Sequence, residues 1–340
     1  DQCDLIPDVL SGVNKEKVDM STTVMGQKID MPLYCAPTAL QRLFHHDGEL
    51  AVGKAAQKFN TFFGVSSLGT YSLKKIAEHV STPKIFQFYF HKDRGLTNSM
   101  IDKCKSYNVD ALALTVDTIT GGNRERDLKT GFTSPPKITF KSFLSFLFHP
   151  KWTLNFLLRK KFDLPFLSEF VKEGTDIRIS VSDYFSNMLD QNMNWEDAIE
   201  IKKRWNGVFC LKGIMSKEDA IKAVDIGADA IMISNHGGRQ LDGSRSPFDQ
   251  IKAISDVVGG KLEIILDGGV RRGTHVLKAI AAGATACSFG RAFLFSLGAA
   301  GQAGIEKLLQ NMRDEIRRNM ILMGCKNIKD LDRSKIIYRN

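Results

Sequence analysis

The stretch Ala230-Ile231-Met232-Ile233-Ser234-Asn235-His236 begins as a short apolar run and ends in polar residues. Because side chains alternate between the two faces of a β-strand, Met232, Ser234 and His236 share one face. That face is apolar at its start and polar at its carboxyl end. A continuous apolar run of this length is typical of a strand buried within a parallel sheet.

Seven more runs of the same kind recur along the chain and predict a sheet of eight strands. Six of the seven start-to-start spacings lie between 22 and 33 residues, which fits one strand, a loop and a helix. Helical patterns fill the gaps, for example over 217–226, 248–258 and 274–282. Eight buried strands alternating with helices indicate the α/β class and favour a closed (β/α)8 TIM barrel over an open sheet. The runs are 32–37, 62–67, 85–90, 111–117, 208–213, 230–236, 263–269 and 286–292.

Polar residues gather at the carboxyl ends of these runs, on one face of each predicted strand. In a barrel with parallel strands these ends meet at one opening, the mouth, where barrel enzymes place their chemistry. A purely structural role would require many buried polar groups to satisfy one another at considerable cost. We therefore expect one functional site at the mouth, with contributions from Gln87, Tyr89, Thr115, Asp117, Lys212, Ser234, His236 and Asp267.

The composition is that of an ordinary globular protein. The 340 residues are 43% apolar and 25% charged, and no run of about 18 apolar residues predicts a membrane span. The six cysteines form no C-x-x-C pair, so we expect reduced, buried thiols. We expect residues 1–340 to form one barrel domain. The chain opens on Asp1 in polar sequence, which suggests a truncated N-terminus.

A long insertion follows the fourth predicted strand, over about residues 120–190. Between 129 and 172 it carries eight Lys or Arg against Asp163 and Glu169, with nine of the 22 phenylalanines and Trp152. Basic residues beside exposed aromatics are typical of a segment that lies on an anionic membrane surface. The other interpretation is a folded cover over the active site, whose aromatics pack on the barrel. No nucleic-acid motif appears, so we expect no nucleic-acid partner.

His236 and Arg239 are candidates for chemistry on a small carboxylate-bearing substrate. A histidine can act as a base, and an arginine can grip a carboxylate with two hydrogen bonds. Gly237 and Gly238 let the backbone approach a ligand closely.

His91 follows the third strand just before a turn, and we expect a surface or capping role for it. No His and carboxylate cluster with metal-ligand spacing stands out, so we expect no metal.

Glycines and arginines after the seventh and eighth strands indicate a phosphate site. The segments are Asp267-Gly268-Gly269-Val270-Arg271 and Gly290-Arg291, at the strand ends where such barrels commonly bind phosphate. No G-x-G-x-x-G follows a strand, so a mononucleotide is favoured over a Rossmann-bound dinucleotide. Lys212 would lie beside its flat ring and stabilise negative charge there. A lysine in this place also suits a Schiff base or a structural ion pair.

These motifs resemble the FMN-dependent α-hydroxy-acid oxidase and dehydrogenase family, which includes glycolate oxidase, lactate dehydrogenases and mandelate dehydrogenase. The stretch His236-Gly237-Gly238-Arg239-Gln240-Leu241-Asp242 is highly specific. The insertion and residues 299–304 resemble most the membrane-associated bacterial L-lactate dehydrogenases. The matching segments extend over nearly the whole chain: 36–39, 87–89, 114–117, 122–127, 211–213, 234–243, 267–271 and 290–291.

The resemblance implies a role for each residue at the mouth. His236 is expected to be the base, with Asp117 hydrogen-bonded to it. Arg239 and Arg124 are expected to hold the substrate carboxylate, and Tyr89 to donate to the substrate's hydroxyl or carboxylate. The FMN ring and ribityl chain are expected to contact Pro37, Thr38, Ala39, Ser66, Gln87, Thr115, Lys212 and Ser234. The ribityl hydroxyls and phosphate are expected to contact Asp267, Gly269, Arg271, Gly290 and Arg291.

The resemblance further implies oxidation of an L-2-hydroxy acid, with L-lactate foremost, to the 2-keto acid. Reduced FMN would pass its electrons to a membrane quinone or cytochrome. This implies a cytoplasmic protein held peripherally on the inner face of the cell membrane, and a homo-oligomer, namely a tetramer.

Two other interpretations stay open. One is a soluble, oxygen-using 2-hydroxy-acid oxidase similar to glycolate oxidase. The other is a membrane-surface binding protein built on an inactive barrel.

Family members carry a further N-terminal stretch with a tyrosine that contacts the substrate. We therefore expect this chain to lack that contact and part of the barrel floor, and to bind substrate more weakly with flavin binding retained.

Overall fold

The computed structural model describes residues 3–125, 129, 140–159, 164–168 and 187–339. Within these residues the strands are β1 (Cys3–Leu5), β2 (Thr22–Val24), β3 (Gln27–Ile29), β4 (Leu33–Cys35), β5 (Phe63–Ser66), β6 (Lys84–Tyr89), β7 (Ala111–Thr115), β8 (Val208–Ile214), β9 (Ala230–Ile233), β10 (Glu263–Asp267), β11 (Ala286–Phe289) and β12 (Ile336–Tyr338). The helices are α1 (Gly48–Lys58), α2 (Leu73–His79), α3 (Arg94–Ser106), α4 (Phe140–Phe148), α5 (Pro150–Leu157), α6 (Pro165–Ser168), α7 (Trp195–Trp205), α8 (Lys217–Asp225), α9 (Pro247–Val258), α10 (Gly273–Ala282) and α11 (Arg291–Leu322).

Strands β4 to β11 form a closed parallel barrel, and β11 pairs with β4 to complete it. Helices lie between consecutive strands, so the predicted (β/α)8 TIM barrel is confirmed. All eight predicted runs contain a strand, and helices α8, α9 and α10 agree with the three predicted helical segments to within one residue at each end. The strands are mostly shorter than the runs. β9, for example, ends at Ile233 rather than His236.

The helices begin and end where local chemistry satisfies their terminal backbone groups. Ser216 caps α8 by accepting from Asp219 N at 3.1 Å, and Asn194 forms a capping box with Asp197 at the start of α7. Pro247 opens α9, and Gly259 ends it in the left-handed conformation. These short-range signals set the residues at which the helices begin and end.

Two sets of buried apolar side chains hold the barrel together. The larger set packs between the strands and the surrounding helices. The smaller set fills the barrel itself and consists of Val24, Met25, Ile29, Tyr34, Phe62, Ile85, Ala111, Ala113, Cys210, Ala230, Met232, Ile265 and Ala286. All six cysteines are buried and free, as expected for reduced thiols.

The hairpin of β2 and β3 closes the end of the barrel opposite the mouth. Val24, Met25 and Ile29 belong to the set that fills the barrel. Met25 N also donates to Glu263 Oε2 at 2.7 Å, at the first residue of β10. Residues of this hairpin therefore contribute to the floor of the barrel.

The described parts of the insertion both pack on the barrel and expose apolar side chains. Phe166 of α6 is buried, with its ring centroid 5.1 Å from that of Phe86 on β6. Phe140 and Phe148, at the two ends of α4, are 77% and 80% exposed. Within the described ranges, no helix combines the length and apolar character needed to cross a membrane. Residues 126–128, 130–139, 160–163 and 169–186 of the insertion lie outside the described residues.

Candidate active site

His236 and Asp117 meet at the mouth from strands that are not neighbours. His236 Nδ1 lies 3.2 Å from Asp117 Oδ1, and Thr118 Oγ1 lies 3.2 Å from the same nitrogen. Thr118 Oγ1 also donates to Asp117 Oδ1 at 2.8 Å. Because an ionised carboxylate only accepts hydrogen bonds, Nδ1 is the protonated nitrogen and Nε2 keeps its lone pair. The arrangement leaves His236 Nε2 able to take up a proton.

The backbone turns sharply after β9 to bring the imidazole to this position. His236 has φ +58°, followed by Gly237 at +70° and Gly238 at +74°. Glycine adopts this region freely, whereas a histidine there carries strain that the surrounding structure must support. His236 N donates to Ser234 Oγ at 3.1 Å, which ties the turn to the buried end of the strand. Such strain on a candidate base is typical of a functional position.

Lys212 is held in a buried network of charge and hydrogen bonds. Its Nζ donates to Asp267 Oδ2 at 2.5 Å and to Ser234 Oγ at 3.0 Å. Ser234 Oγ donates to Asp267 Oδ2 at 2.8 Å, and Ser288 Oγ donates to Asp267 Oδ1 at 2.7 Å. Both oxygens of Asp267 are thus engaged by side chains of the barrel, and Lys212 has a dedicated counter-ion.

Burial shifts the pKa values of this network in one direction, and neighbouring charges and hydrogen bonds shift them in the other. Burial acts to lower the pKa of Lys212, but Asp267 and Asp117 outweigh it and the pKa is raised. Burial acts to raise the pKa of Asp267, but Lys212 and the serine hydroxyls outweigh it and the pKa is lowered. For Asp117, burial likewise acts to raise the pKa, but His236, Lys212 and Thr118 together outweigh it and the pKa is lowered. All three groups are therefore charged at neutral pH.

A chain of side-chain hydrogen bonds crosses three neighbouring strands beside this network. Ser66 Oγ donates to Gln87 Oε1 at 2.9 Å, and Gln87 Nε2 donates to Thr115 Oγ1 at 2.6 Å. All three side chains are buried. The barrel register places Thr115 directly beside Lys212, so an amide, a hydroxyl and an ammonium line one side of the mouth. These are groups suited to the polar edge of a flat heterocycle.

The loop after β4 lies against this row through its backbone. A Cβ on Gly64 of β5 would lie 2.3 Å from Pro37 N, so only glycine lets the loop approach so closely. Gln41 Nε2 donates to Thr38 Oγ1 at 3.0 Å, which fixes the position of Thr38. Pro37, Thr38 and Ala39 are each partly exposed at the mouth.

The ends of β10 and β11 offer accessible backbone and guanidinium groups that could bind a phosphate. A Cβ on Gly269 would meet nothing within 4 Å, and one on Gly290 would meet only Thr38 Cγ2 at 3.4 Å. Arg291 Nη2 donates to Gly237 O at 2.7 Å, and a guanidinium has about five N–H donors, so capacity for an anion is left. Arg271 is exposed and lines a surface cleft with His275 and Glu315. The open backbone at these two strand ends and the donors left on Arg291 are suited to a phosphate group.

Tyr89, Arg124 and Arg239 complete the mouth. Tyr89 is buried at the end of β6, and burial raises its pKa to about 12. The charges of Lys212, Arg124 and Arg239 act on the same hydroxyl in the opposite sense, and Asp117 acts with burial. Tyr89 is therefore a neutral donor with both guanidiniums in its electrostatic surroundings. This set has the chemistry to hold a small carboxylate.

Sequence reasoning missed several residues that the fold brings to the site. Thr118 and Ser288 contribute hydrogen bonds to Asp117 and Asp267, respectively. The interpretation of His91 as a surface residue is wrong, because it is fully buried and burial lowers its pKa to about 4.

A group with metal-ligand chemistry was also overlooked. His45, His46 and Asp47 place one possible ligand atom each within 4.8 Å of one another. They are consecutive residues in the loop before α1, so the criterion of separated ligands with regular spacing did not select them.

The likeness to known proteins extends over the whole chain. The profile of the FMN-dependent dehydrogenase family matches residues 1–338. Glycolate oxidase from Spinacia oleracea is 36% identical over 324 residues, which are 95% of this chain and 82% of that protein. L-lactate dehydrogenase from Vibrio parahaemolyticus is 36% identical over 328 residues, covering 96% and 86%. The crystal structure of the monotopic membrane protein (S)-mandelate dehydrogenase superposes with a TM-score of 0.92 at 30% identity, covering 99% of this chain and 88% of that one.

The family assignment agrees with the donor set at the mouth. The polar row on β5 to β7, the Lys212 network and the open strand ends together offer the donors and acceptors that a flat ring, a polyol chain and one phosphate require. The chain belongs to the FMN-dependent dehydrogenase family, and FMN is its cofactor.

Proposed function

We propose that this protein oxidises an L-2-hydroxy acid, with L-lactate as the preferred substrate, to the 2-keto acid. The observation that carries the proposal is the geometry of His236, whose Nδ1 is held by Asp117 and whose Nε2 is left able to accept a proton. A base beside two guanidiniums and a neutral phenol matches a substrate that has a carboxylate and a hydroxyl on adjacent carbons. The relatives named for glycolate and lactate chemistry support the same class.

Each residue of the mouth has a defined task in this proposal. Arg124 and Arg239 hold the substrate carboxylate, which places its α carbon near His236. His236 removes a proton from the α C–H or O–H group, and Asp117 stabilises the imidazolium that forms. Tyr89 stays protonated and donates a hydrogen bond to the substrate's hydroxyl or carboxylate.

FMN supplies the redox chemistry when bound, since it takes up the two electrons released by the substrate and yields them to an acceptor. The chain's own residues hold it in place. Lys212 presents a positive charge that Asp267 fixes in position, and Ser66, Gln87, Thr115 and Ser234 contribute polar groups around the ring and ribityl chain. Pro37, Thr38 and Ala39 would lie along the ring, while Gly269, Arg271, Gly290 and Arg291 would hold the phosphate.

The insertion is the basis for the electron acceptor that we propose. We propose that α4 and α5 rest on the inner face of the cell membrane, so that a quinone or cytochrome receives the electrons. Exposed Phe140 and Phe148 and the basic composition of residues 129–172 support this, as does the membrane protein among the structural relatives. We further propose that residues 1–340 act as one FMN-binding barrel domain, located on the cytoplasmic side and assembled as a tetramer.

Steady-state kinetics with three acids and two acceptors tests this function. We expect the largest kcat/KM for L-lactate, compared with glycolate and L-mandelate, and faster turnover with a short-chain quinone than with oxygen. Preference for glycolate with oxygen as the better acceptor would favour a soluble oxidase similar to glycolate oxidase.

A further inference from the structure

The loops after β7 and β9 are joined by Gln240, a residue to which the proposed chemistry gives no role. Gln240 Nε2 donates to Asp117 O at 3.1 Å and to Thr120 O at 3.0 Å. Both acceptors are backbone carbonyls of the segment that leads from β7 to Arg124. The side chain therefore bridges two loops that are separated by more than one hundred residues of sequence.

Gly122 provides a second, independent contact between the same loops. A Cβ on Gly122 would lie 2.1 Å from Arg239 O and 2.9 Å from Gln240 Cα. No real Cβ contact is this short, so the two backbones touch at this point only because residue 122 is glycine. The Gln240 bonds and the Gly122 contact lie directly beside Arg239 on one loop and Arg124 on the other.

We propose that Gln240 is a positioning residue, which latches the β7 loop onto the β9 loop and thereby holds Arg124 and Arg239 as one carboxylate clamp. The inference rests on the proposed function, because it assigns the clamp to the substrate's carboxylate. The two arginines are on different loops, so their spacing depends on how those loops are joined. A bidentate grip tolerates little error in that spacing.

The same latch supports the base. Gln240 binds the carbonyl of Asp117, whose side chain is bonded to His236 Nδ1. Gln240 Oε1 is buried and has no hydrogen-bond partner among the residues that the structure describes. A substitution that introduces charge would disturb this buried end, so a neutral replacement of similar volume gives the cleaner test.

Gln240→Met removes both donors while keeping the length of the side chain. Leu241→Met is the matched control, because it introduces the same side chain at the next position, where the native leucine is 78% exposed. Gly122→Ala breaks the second contact, and the double variant Gln240→Met/Gly122→Ala shows whether the two contacts act together. FMN content and thermal unfolding of each variant verify that it is folded.

Two readouts do not depend on turnover. The first is hydrogen exchange of the amides of residues 117–122. The second is a titration of the FMN-bound protein with oxalate, which has a carboxylate but no C–H bond to lose, followed by the flavin absorbance. Relative to Leu241→Met, we expect Gln240→Met to raise both the exchange rates and the oxalate Kd roughly tenfold, with FMN affinity unchanged. KM for the hydroxy acid should rise in parallel, more than kcat falls.

The double variant should lose no more oxalate affinity than the weaker-binding single variant, because both changes break one coupling. The proposal would be overturned if Gln240→Met had the same amide hydrogen-exchange rates and the same oxalate affinity as Leu241→Met. Faster exchange with unchanged oxalate affinity would also overturn it, because the loops would then be joined without positioning the clamp. If no hydroxy acid reduces the wild-type flavin, the proposed function fails, and the exchange comparison alone decides whether Gln240 latches the loops.

Discussion

His236 Nδ1 lies 3.2 Å from Asp117 Oδ1, although the two residues are 119 positions apart in the chain. The carboxylate fixes which imidazole nitrogen carries the proton, and it stabilises the imidazolium once Nε2 has taken up a second one. A left-handed backbone at His236 holds the ring in place. The proposed chemistry depends on this pair more than on any other contact at the mouth.

Removing the base should slow substrate oxidation without releasing FMN. We expect His236→Gln to lower the rate of anaerobic flavin reduction by about 10²–10⁴-fold, the range that positioned general bases contribute. Asp117→Asn keeps an acceptor for Nδ1 but loses the charge, so its effect should be smaller, roughly 10–100-fold. Stopped-flow absorbance measures both. Asp102→Asn, at a carboxylate paired with Arg204 on the surface, is the control and should retain the wild-type rate.

Removing only one charge of the Lys212–Asp267 pair should destabilise the fold more than removing both charges. Lys212→Met leaves Asp267 as a buried carboxylate without its counter-ion, which typically costs about 3–5 kcal/mol of unfolding free energy. Lys212→Met/Asp267→Asn removes both charges and should recover part of that loss. Urea unfolding in the absence of added FMN measures the difference. A double variant less stable than Lys212→Met would show that the pair is not coupled as the structure indicates.

The same pair predicts how stability depends on pH. The pKa of Asp267 is lowered on folding, so its contribution is complete above about pH 4 and is lost as the pH falls through the lower folded value. The pKa of Lys212 is raised, so its contribution is complete below about pH 10 and is lost as the pH rises through the higher folded value. The stability difference between wild type and the double variant should therefore be flat from about pH 5 to pH 9. A slope within that window would contradict the assignment.

Tyr89 should act as a neutral donor throughout the working range of the enzyme. Burial raises its pKa to about 12, so the phenol keeps its proton well above neutral pH. Tyr89→Phe should raise KM roughly tenfold, as expected for a lost hydrogen bond to a charged or polar substrate group. The ratio of kcat/KM between wild type and Tyr89→Phe should stay constant from pH 6 to 10. A ratio that falls towards one around pH 9 would indicate an ionised tyrosine.

The insertion should bind anionic vesicles through its exposed aromatics. Phe148→Ser replaces a side chain that is 80% exposed, and we expect binding to vesicles of phosphatidylglycerol to weaken roughly tenfold with little change in thermal stability. Phe295→Ser, at a phenylalanine 72% exposed on α11, is the matched control. Trp152 is a poorer probe, because its Nε1 donates to Leu43 O at 3.0 Å and its ring stacks on Phe156. Equal vesicle binding by both serine variants would argue against a membrane contact at α4.

The barrel was predictable because its signals are local and repeated. Apolar runs separated by helical patterns identified all eight strands, and side-chain parity placed Lys212, Ser234 and Asp267 on inward faces. Strand ends were less predictable, since β9 ends at Ile233 where the backbone turns towards the left-handed conformation of His236. That turn depends on contacts with the β7 loop, which no local pattern reveals.

Residues whose partners lie on other strands or loops were missed for the same physical reason. Ser288 stands in an apolar run, and only its register beside Asp267 shows that its hydroxyl meets that carboxylate. Thr118 and Gln240 follow strand ends in polar sequence, where many residues are simply solvated. Applying the same alternation of side chains to β11 would have placed Ser288 on the inward face. The contact between Gln240 and Thr120, in contrast, becomes visible only in the folded structure.

An anaerobic absorbance spectrum of the FMN-bound protein tests the central claim most directly. L-lactate, glycolate and L-mandelate are added separately to wild type and to His236→Gln. We predict that L-lactate bleaches the oxidised flavin bands of wild type within seconds, while His236→Gln keeps its bands over the same time. The account would be contradicted if the wild-type flavin stayed oxidised with all three acids. It would also be contradicted if the flavin bands bleached equally fast in both proteins.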